Sequence, residues 1–259
     1  MVTKSNRTST RDPWCAVFCL VLLIATLAGP SLAVRERCPG CTSLHTFSEN
    51  FDTTTPPALP ADWLATNALG PPPMWVTSNS GLPGPAADTL PNAASIDDPA
   101  VISDKRVDSL QFTFFEGLYP QLTFRHNFDL EASSTDSNVG FDGGVLELST
   151  DGGNTFQDIV AAGGIFVIGG YNRTISTDRG SPIAGRQAWS GNSGGFITTI
   201  VNLPSVQSGV RLRWRMASDN AGSSEGWRVD TVELTWCQGL DRCTPRPRVT
   251  PYPRPTLPQ

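Results

Sequence analysis

The sequence is poor in charged residues, in methionine and in histidine, and these shortages narrow the possible functions. Charged residues make up 17% of the 259 residues, with 3 methionines and 2 histidines. The formal net charge is −5 and no lysine-rich stripe occurs, so an electrostatic basis for binding nucleic acid is missing. Glycine and proline are abundant, at 24 and 22 residues, and this favours turns and extended chain over long helices.

The first 33 residues have the three parts of a secretory signal peptide. Three cations open the segment, an apolar stretch of 15 residues follows at 14–28, and Ser-Leu-Ala at 31–33 matches a cleavage site. The apolar stretch is shorter than the roughly 20 residues that a spanning helix needs, although an uncleaved anchor is the alternative. We therefore predict a signal peptide at 1–33 and a secreted, periplasmic or cell-surface protein, without membrane insertion after cleavage.

Four cysteines remain after the predicted signal, two near each end of the mature chain. They are Cys38, Cys41, Cys237 and Cys243. An even number of cysteines in an exported chain predicts disulfides, with three possible pairings. A zinc site would need all four, but the second pair lacks the usual zinc-ligand spacing. A redox centre at 38–41 would need a helix after it, and no helix-forming run follows.

Composition divides the mature chain into three parts. Residues 34–43 form a short leading segment, 44–243 form a β-rich body, and 244–259 form a tail. The tail has 6 prolines in 16 residues and no apolar periodicity. It is predicted to be disordered, as an extended spacer of the polyproline II type.

The body alternates apolar and polar residues with a period of two, as half-buried strands do. The alternation is clearest at 120–131 and 210–216, where every second residue is large and apolar apart from His126. Further strands are predicted at 44–52, 74–77, 111–115, 145–150, 165–168, 196–201 and 227–236. Many short strands with turn clusters between them, and no helical period, predict an all-β sandwich or barrel.

The last predicted strand changes phase in its middle. Its apolar residues occupy odd positions up to Val229 and even positions from Val232 onward. A β-bulge at Asp230-Thr231 is the simplest cause, because one extra residue shifts every later side chain to the other face. Such a bulge would also re-aim the side chain of Asp230.

Two glycine motifs are better explained by turns than by catalysis. Residues 149–156, Ser-Thr-Asp-Gly-Gly-Asn-Thr-Phe, resemble an Asp-box that occurs once, and they predict a hairpin. Residues 191–195 match G-x-S-x-G, but a β-branched run follows where a nucleophile elbow needs a helix. A serine nucleophile also needs a histidine base, and we interpret His126 as a hydrogen-bonded core residue.

Several segments together resemble a known module. They are residues 124–131, 141–153, 169–176, 182–191, 211–219 and 226–232. They resemble the MAM-like jelly-roll module that follows the catalytic domain of immune-inhibitor-type bacterial metallopeptidases, and cleaved-adhesin modules are similar. No HExxH motif occurs, so the peptidase part is missing. The resemblance implies an antiparallel jelly-roll β-sandwich at 44–243 and a non-catalytic role in binding, adhesion or as an accessory module.

The resemblance also implies a cation, often calcium, that joins the first strand to the last. The matching positions are Asp52 and Asp230, although Thr231 stands where the family pattern has a second acid. Calcium needs 6–8 oxygen ligands, some of which backbone carbonyls can supply. The alternative is that Asp230 serves the bulge through hydrogen bonds to the backbone.

The expected partner is a surface glycan or a protein. Loop aromatic residues are candidates for stacking on sugars, with core positions as the alternative; they are Trp63, Trp75, Tyr171 and Trp189. Two other functions stay open. A jelly-roll glycoside hydrolase or lyase would need two acids across a cleft, with Glu147 as one candidate, and a purely structural domain would need no site.

Overall fold

The computed structural model of the protein describes residues 41–113, 117–206 and 209–240. Within these ranges the chain forms sixteen strands and no helix. All described residues belong to one unit of the chain, Pro39–Arg242. The signal peptide at 1–33, the tail at 244–259, Cys38 and Cys243 lie outside the described residues and stay predictions.

The described strands form two large sheets and one small sheet. In chain order they are β1 (Cys41–Glu49), β2 (Leu64–Leu69), β3 (Val76–Ser78), β4 (Ala93–Ile96), β5 (Ser103–Asp108), β6 (Gly117–Leu130), β7 (Val139–Gly140), β8 (Gly143–Ser149), β9 (Gln157–Asp158), β10 (Ile165–Ile168), β11 (Arg173–Ile175), β12 (Gln187–Ala188), β13 (Gly191–Asn192), β14 (Ile197–Asn202), β15 (Arg211–Ser218) and β16 (Gly226–Leu240).

The larger sheet has the order β10–β14–β6–β16–β4–β3, with β1 also paired to β16 and β13 to β6. The second sheet has the order β2–β5–β15–β8–β9, and β12–β11–β7 form the small third sheet. The described pairings are antiparallel except that of β7 with β11. The prediction of an all-β antiparallel jelly-roll sandwich is confirmed.

The alternating residues of β6 and β15 supply much of the core. Phe124 of β6 and Trp214 of β15 are fully buried, and their rings meet edge to face at 5.6 Å. Trp63 stacks on Trp214 with ring centroids 5.6 Å apart. Aromatic side chains bury large apolar areas, so rings joined across strands in this way stabilise the sandwich strongly.

Strand β5 was not predicted from the alternation. Its sequence, Ser-Asp-Lys-Arg-Val-Asp, is polar, yet five of its six residues are buried. The acids of β5 pair with arginines of the neighbouring β15, since Asp104 lies 2.8 Å from Arg215 and Asp108 lies 2.6 Å from Arg213. Burial of a charged residue becomes tolerable when a partner compensates it, and apolar periodicity cannot reveal that pairing.

Other boundaries differ from the predicted ones. Strand β1 begins at Cys41, within the segment that we expected to lead into the body. In its described part, the expected strand at 111–115 is reduced to a single bridge between Phe112 and Val210. The short strands β7 and β11–β13 were not predicted either, because two- and three-residue elements leave little periodicity to detect.

The predicted bulge is present in β16. The pairing of β16 with β6 shifts register between Asp230 and Glu233, and Thr231 has a φ of 46°. A positive φ is rare for a β-branched residue, so the surrounding sheet must hold Thr231 in this conformation.

Both glycine motifs form turns. In the Asp-box, Asp151 accepts the Thr155 N–H at 2.9 Å, and Gly152 and Gly153 have φ values of 78° and 98°. This turn joins β8 to β9 as predicted. In the second motif, Ser193 Oγ accepts the Phe128 N–H at 2.9 Å, so its hydroxyl ties a turn to β6.

Candidate functional site

A half-open and mostly apolar pocket lies beside the β8–β9 hairpin and β10. Its volume is about 610 Å³. The lining residues are Asp158, Val160, Ala161, Phe166, Gly170, Tyr171, Arg186 and Gln187. Apolar walls with a small number of fixed polar groups are the usual composition of sites that bind small ligands.

Tyr171 is fixed in the pocket wall at both ends of its side chain. Its hydroxyl accepts the Leu146 N–H at 3.0 Å and lies 3.1 Å from Asp158 Oδ2. Its ring meets Phe166 at 4.9 Å and Trp189 at 4.8 Å, both edge to face. Burial, and next the charge of Asp158, raise the pKa of Tyr171 well above its usual value. The hydroxyl therefore stays protonated and can donate.

Arg186 links two acids beside the pocket. Its Nη1 lies 2.6 Å from Glu147 Oε1, and its Nη2 lies 2.8 Å from Asp158 Oδ2. The planar guanidinium suits such two-sided contact. Because Asp158 also contacts Tyr171, three polar side chains of the pocket are held in one arrangement without a ligand, which lowers the entropy cost of binding.

Exposed aliphatic side chains lie on β10, next to the pocket. Ile165, Val167 and Ile168 are 66%, 52% and 53% exposed, and Val160 in the pocket wall is 53% exposed. Strand β10 stands at the edge of its sheet, with β14 as its described neighbour. Clustered exposed apolar side chains are typical of interaction surfaces, so the pocket and this edge define the candidate binding face.

Glu147, the acid considered for a hydrolase, is engaged in ion pairs. Its side chain is 5% exposed, and its Oε1 lies 2.6 Å from Arg186 Nη1 and 3.1 Å from Arg215 Nη1. A general acid or nucleophile must reach a substrate in a cleft. The geometry instead gives Glu147 a structural role between β8, β15 and Arg186.

Replacing Glu147 with glutamine is expected to lower the free energy of unfolding by about 2 kcal/mol, because two arginines lose a charged partner. The arginines are 25% and 17% exposed, so solvent offsets part of the loss. Urea denaturation measures the change, and Glu225→Gln, at an exposed glutamate, should stay within about 0.5 kcal/mol. If the wild type cleaves a polysaccharide and Glu147→Gln does not, the result would favour the hypothesis of a glycoside hydrolase or lyase.

The four aromatic residues considered for sugar stacking have different positions. Trp63, Trp75 and Trp189 are 7%, 2% and 1% exposed, so the core alternative holds for them. Tyr171 lines the pocket. His126 is fully buried, as predicted, with its Nε2 2.9 Å from Thr199 Oγ1.

The bulge turns the carboxylate of Asp230 toward the neighbouring backbone. Its Oδ2 accepts the N–H groups of Asp88 and Thr89 at 2.7 and 2.9 Å, and its Oδ1 accepts that of Thr231 at 2.6 Å. Burial raises the pKa of Asp230, although these donors act in the opposite direction. This is the hydrogen-bonding role considered as the alternative to a cation ligand.

Asp52 is likewise surrounded by donors. It accepts the Asn92 N–H at 3.0 Å on Oδ1 and the Asn50 amide at 2.7 Å on Oδ2. Each carboxylate oxygen of Asp52 and Asp230 thus faces an N–H donor, which fits hydrogen bonding better than a cation. Calcium at Asp52 and Asp230 stays a prediction.

The described cysteines lie on the two neighbouring strands β1 and β16. Cys237 is 6% exposed and stands opposite Leu44, and Cys41 stands opposite Leu240. The disulfide pairing among Cys38, Cys41, Cys237 and Cys243 stays a prediction.

Comparison with known proteins finds solved structures with distant similarity to the chain. No protein-family model matches the sequence, and no curated protein matches it. Similar solved structures include the K1 and K3 cleaved adhesin domains of Lys-gingipain from Porphyromonas gingivalis W83, each 17% identical, with TM-scores of 0.43 and 0.42. They cover 73% of this chain and 97% and 98% of their own. TmCBM61, solved with β-1,4-galactotriose, is 9% identical with a TM-score of 0.39, and covers 67% of this chain and 88% of its own.

In the described part of the chain, no helix has the length and apolarity that crossing a membrane would require.

Proposed function

We propose that the protein is an exported, non-catalytic binding module of the cell surface, and that a glycan binds in the pocket beside Phe166, Tyr171 and Arg186. The observation that carries this proposal is the composition of the pocket, which sets aromatic and aliphatic walls beside fixed charged and amide groups. The same proposal includes export through the predicted signal, disulfides among the four cysteines, and kinship with MAM-like modules.

The chemistry of a sugar ring matches these walls. One face of a pyranose carries C–H groups that pack on aromatic rings, while its hydroxyls donate and accept hydrogen bonds. Asp158 supplies an acceptor, and Gln187 supplies both a donor and an acceptor. The charge of Arg186 is already balanced by Glu147 and Asp158, so a neutral oligosaccharide fits better than an acidic one.

A second candidate ligand is a surface protein. The observation that favours it is the exposed aliphatic edge at Ile165, Val167 and Ile168. An apolar partner surface would cover these side chains and need not enter the pocket.

Filling the pocket tests the proposal. Ala161 is an exposed pocket residue, and Ala161→Arg places a long charged side chain in the cavity. On an array of glycans and surface proteins, we expect the wild type to bind neutral glycans and Ala161→Arg to bind them at least about tenfold more weakly, a loss of about 1.4 kcal/mol. Ala61→Arg, at an exposed alanine outside the pocket, should bind as the wild type does.

A second variant separates the two candidate ligands. Val167→Asp changes the exposed edge of β10 and should weaken protein binding while leaving glycan binding intact. If Ala161→Arg binds glycans as the wild type does, the glycan does not bind in the pocket. If the array shows no bound glycan or protein, the proposal of a binding module is wrong.

A further inference from the structure

Four acidic side chains converge from different parts of the chain at one end of the sandwich. Asp98 follows β4, Glu131 follows β6, Asp142 precedes β8, and Asp219 follows β15. Carboxylate oxygens of Glu131, Asp142 and Asp219 lie within 4.8 Å of one another. Asp98 adjoins this group through a hydrogen bond between its carboxyl group and that of Asp142.

Backbone amides hold one oxygen of three of these carboxylates. Asp98 Oδ2 accepts the N–H groups of Glu131 and Ser224, both at 3.1 Å. Asp142 Oδ1 accepts the Asp219 N–H at 2.6 Å, and Asp219 Oδ1 accepts the Ala221 N–H at 2.7 Å. The surrounding loops therefore orient the carboxylates.

One further oxygen of each of the four carboxylates receives no hydrogen bond from an N–H or hydroxyl group among the described residues, and between Asp98 and Asp142 the contact is one carboxyl group with another. These buried atoms are Asp98 Oδ1, Glu131 Oε2, Asp142 Oδ2 and Asp219 Oδ2. Asp98, Asp142 and Asp219 are only 4%, 0% and 1% exposed. A buried carboxylate oxygen that no N–H or hydroxyl donor reaches is costly, and four such atoms at one place point to a bound group of positive charge.

One arginine approaches the cluster, but it leaves those oxygens without hydrogen bonds. Arg179 Nε lies 3.8 Å from Asp219 Oδ2, and its Nη1 lies 4.0 Å from Glu131 Oε1. The Arg179 guanidinium also covers the ring of Phe141 at 4.0 Å. A single cation at this distance cannot compensate four carboxylates.

Four carboxylates this close together repel one another when they are ionised. A divalent cation among them removes that repulsion, because it favours the ionised carboxylates.

We propose that Asp98, Glu131, Asp142 and Asp219 bind one calcium ion, at a site that includes neither Asp52 nor Asp230. Calcium binds carboxylate oxygens at about 2.4 Å, so two oxygens on one ion lie at most about 4.8 Å apart, and the oxygens of Glu131, Asp142 and Asp219 lie within that limit. Magnesium would require a tighter octahedron.

The ion would connect the two large sheets. Asp98 and Glu131 follow strands of the larger sheet, while Asp142 and Asp219 adjoin β8 and β15 of the second. Gly222 keeps the loop close to the cluster, because a Cβ there would lie 2.2 Å from Glu131 Oε2. Calcium is thus expected to stabilise this end of the sandwich.

The full chain, stripped with EDTA, tests the proposal by thermal unfolding at pH 7.5 with calcium or magnesium chloride. We expect calcium to raise the wild-type Tm by several degrees, and magnesium to have less effect, because a ligand that binds only the folded state stabilises it. Asp142→Asn should fold in EDTA but lose the calcium shift. Glu225→Gln, at an exposed acid near the same loop, should keep the shift.

Calcium titration of further variants separates the remaining outcomes. Calorimetric titration should give one calcium per wild-type chain and none for Asp98→Asn, while Asp230→Asn should still bind. If calcium neither binds nor shifts the Tm, the carboxyls share protons and the proposal is wrong. If binding is lost in Asp230→Asn and kept in Asp98→Asn and Asp142→Asn, the ion lies at Asp52 and Asp230, and the proposal is also wrong. Neither outcome depends on glycan binding.

Discussion

Acidification from pH 7 to pH 3.5 is expected to cost the folded protein about 4 kcal/mol through His126 alone. The side chain is fully buried, and burial, followed by the charge of Arg125, lowers its pKa from 6.5 to about 3. A histidine with a depressed pKa contributes stability above its unfolded pKa of 6.5. That contribution is lost as the pH falls toward 3.

The hydrogen bonds of His126 explain why it stays neutral. The Trp227 indole N–H donates to Nδ1 at 3.2 Å, and an indole nitrogen can only donate. The proton therefore sits on Nε2, which faces Thr199 Oγ1 at 2.9 Å, and that hydroxyl donates to the Gly169 carbonyl at 2.7 Å. A second proton on Nδ1 would oppose the indole N–H, so protonation breaks the chain of bonds.

Urea denaturation between pH 7 and pH 3.5 measures this effect. At pH 7, His126→Gln should be less stable than the wild type, but it should lose less stability between pH 7 and pH 3.5. His45→Gln, the same substitution at the other histidine, should keep the wild-type slope. Imidazole NMR signals of His126 that titrate near pH 6.5 in the folded wild type would contradict the expectation.

Gly144→Ala is expected to destabilise the protein by about 3 kcal/mol, the upper part of the usual range for overpacked cores. A Cβ at this position would lie 2.6 Å from the Trp227 ring. Trp227 is fully buried and packs on Trp75 and Trp189, with centroids 5.4 and 5.8 Å away. The ring therefore has no space to move into.

The backbone at Gly144 is equally fixed. It pairs with Met216 in β15, and it exchanges two hydrogen bonds of 2.9 Å with Trp189. Gly84→Ala is the control, because a Cβ at Gly84 meets nothing within 4 Å, and it should change stability by less than about 0.5 kcal/mol. Equal unfolding midpoints in urea for the two variants would contradict the close packing of Trp227 against Trp75 and Trp189.

The sequence predicted strands best where one face packs against the core. In β6 and β15 the apolar residues recur at every second position, and the structure buries them. In β5, buried acids form ion pairs with β15 where other strands have apolar contacts, so its sequence shows no apolar alternation. The bulge at Asp230 was predictable because a change of parity records it directly.

The two sites were less accessible to sequence reasoning. The acids at Asp98, Glu131, Asp142 and Asp219 adjoin four different strands and form no local motif, so only the folded topology brings them together. The sequence held one sign of the acidic cluster: Glu131 and Asp219 directly follow β6 and β15, the two strands with the most regular alternation. The binding pocket depends on loop geometry around Tyr171, where alternation gives no information.

The claim that the protein binds its ligand in the Tyr171 pocket is tested most directly by amide NMR mapping with neutral oligosaccharides. We expect saturable shifts of the amide signals of Ala161, Gly170 and Gln187, which line the pocket, and no shifts in Ala161→Arg. Shifts confined to another surface, or no shifts at millimolar oligosaccharide, would contradict it.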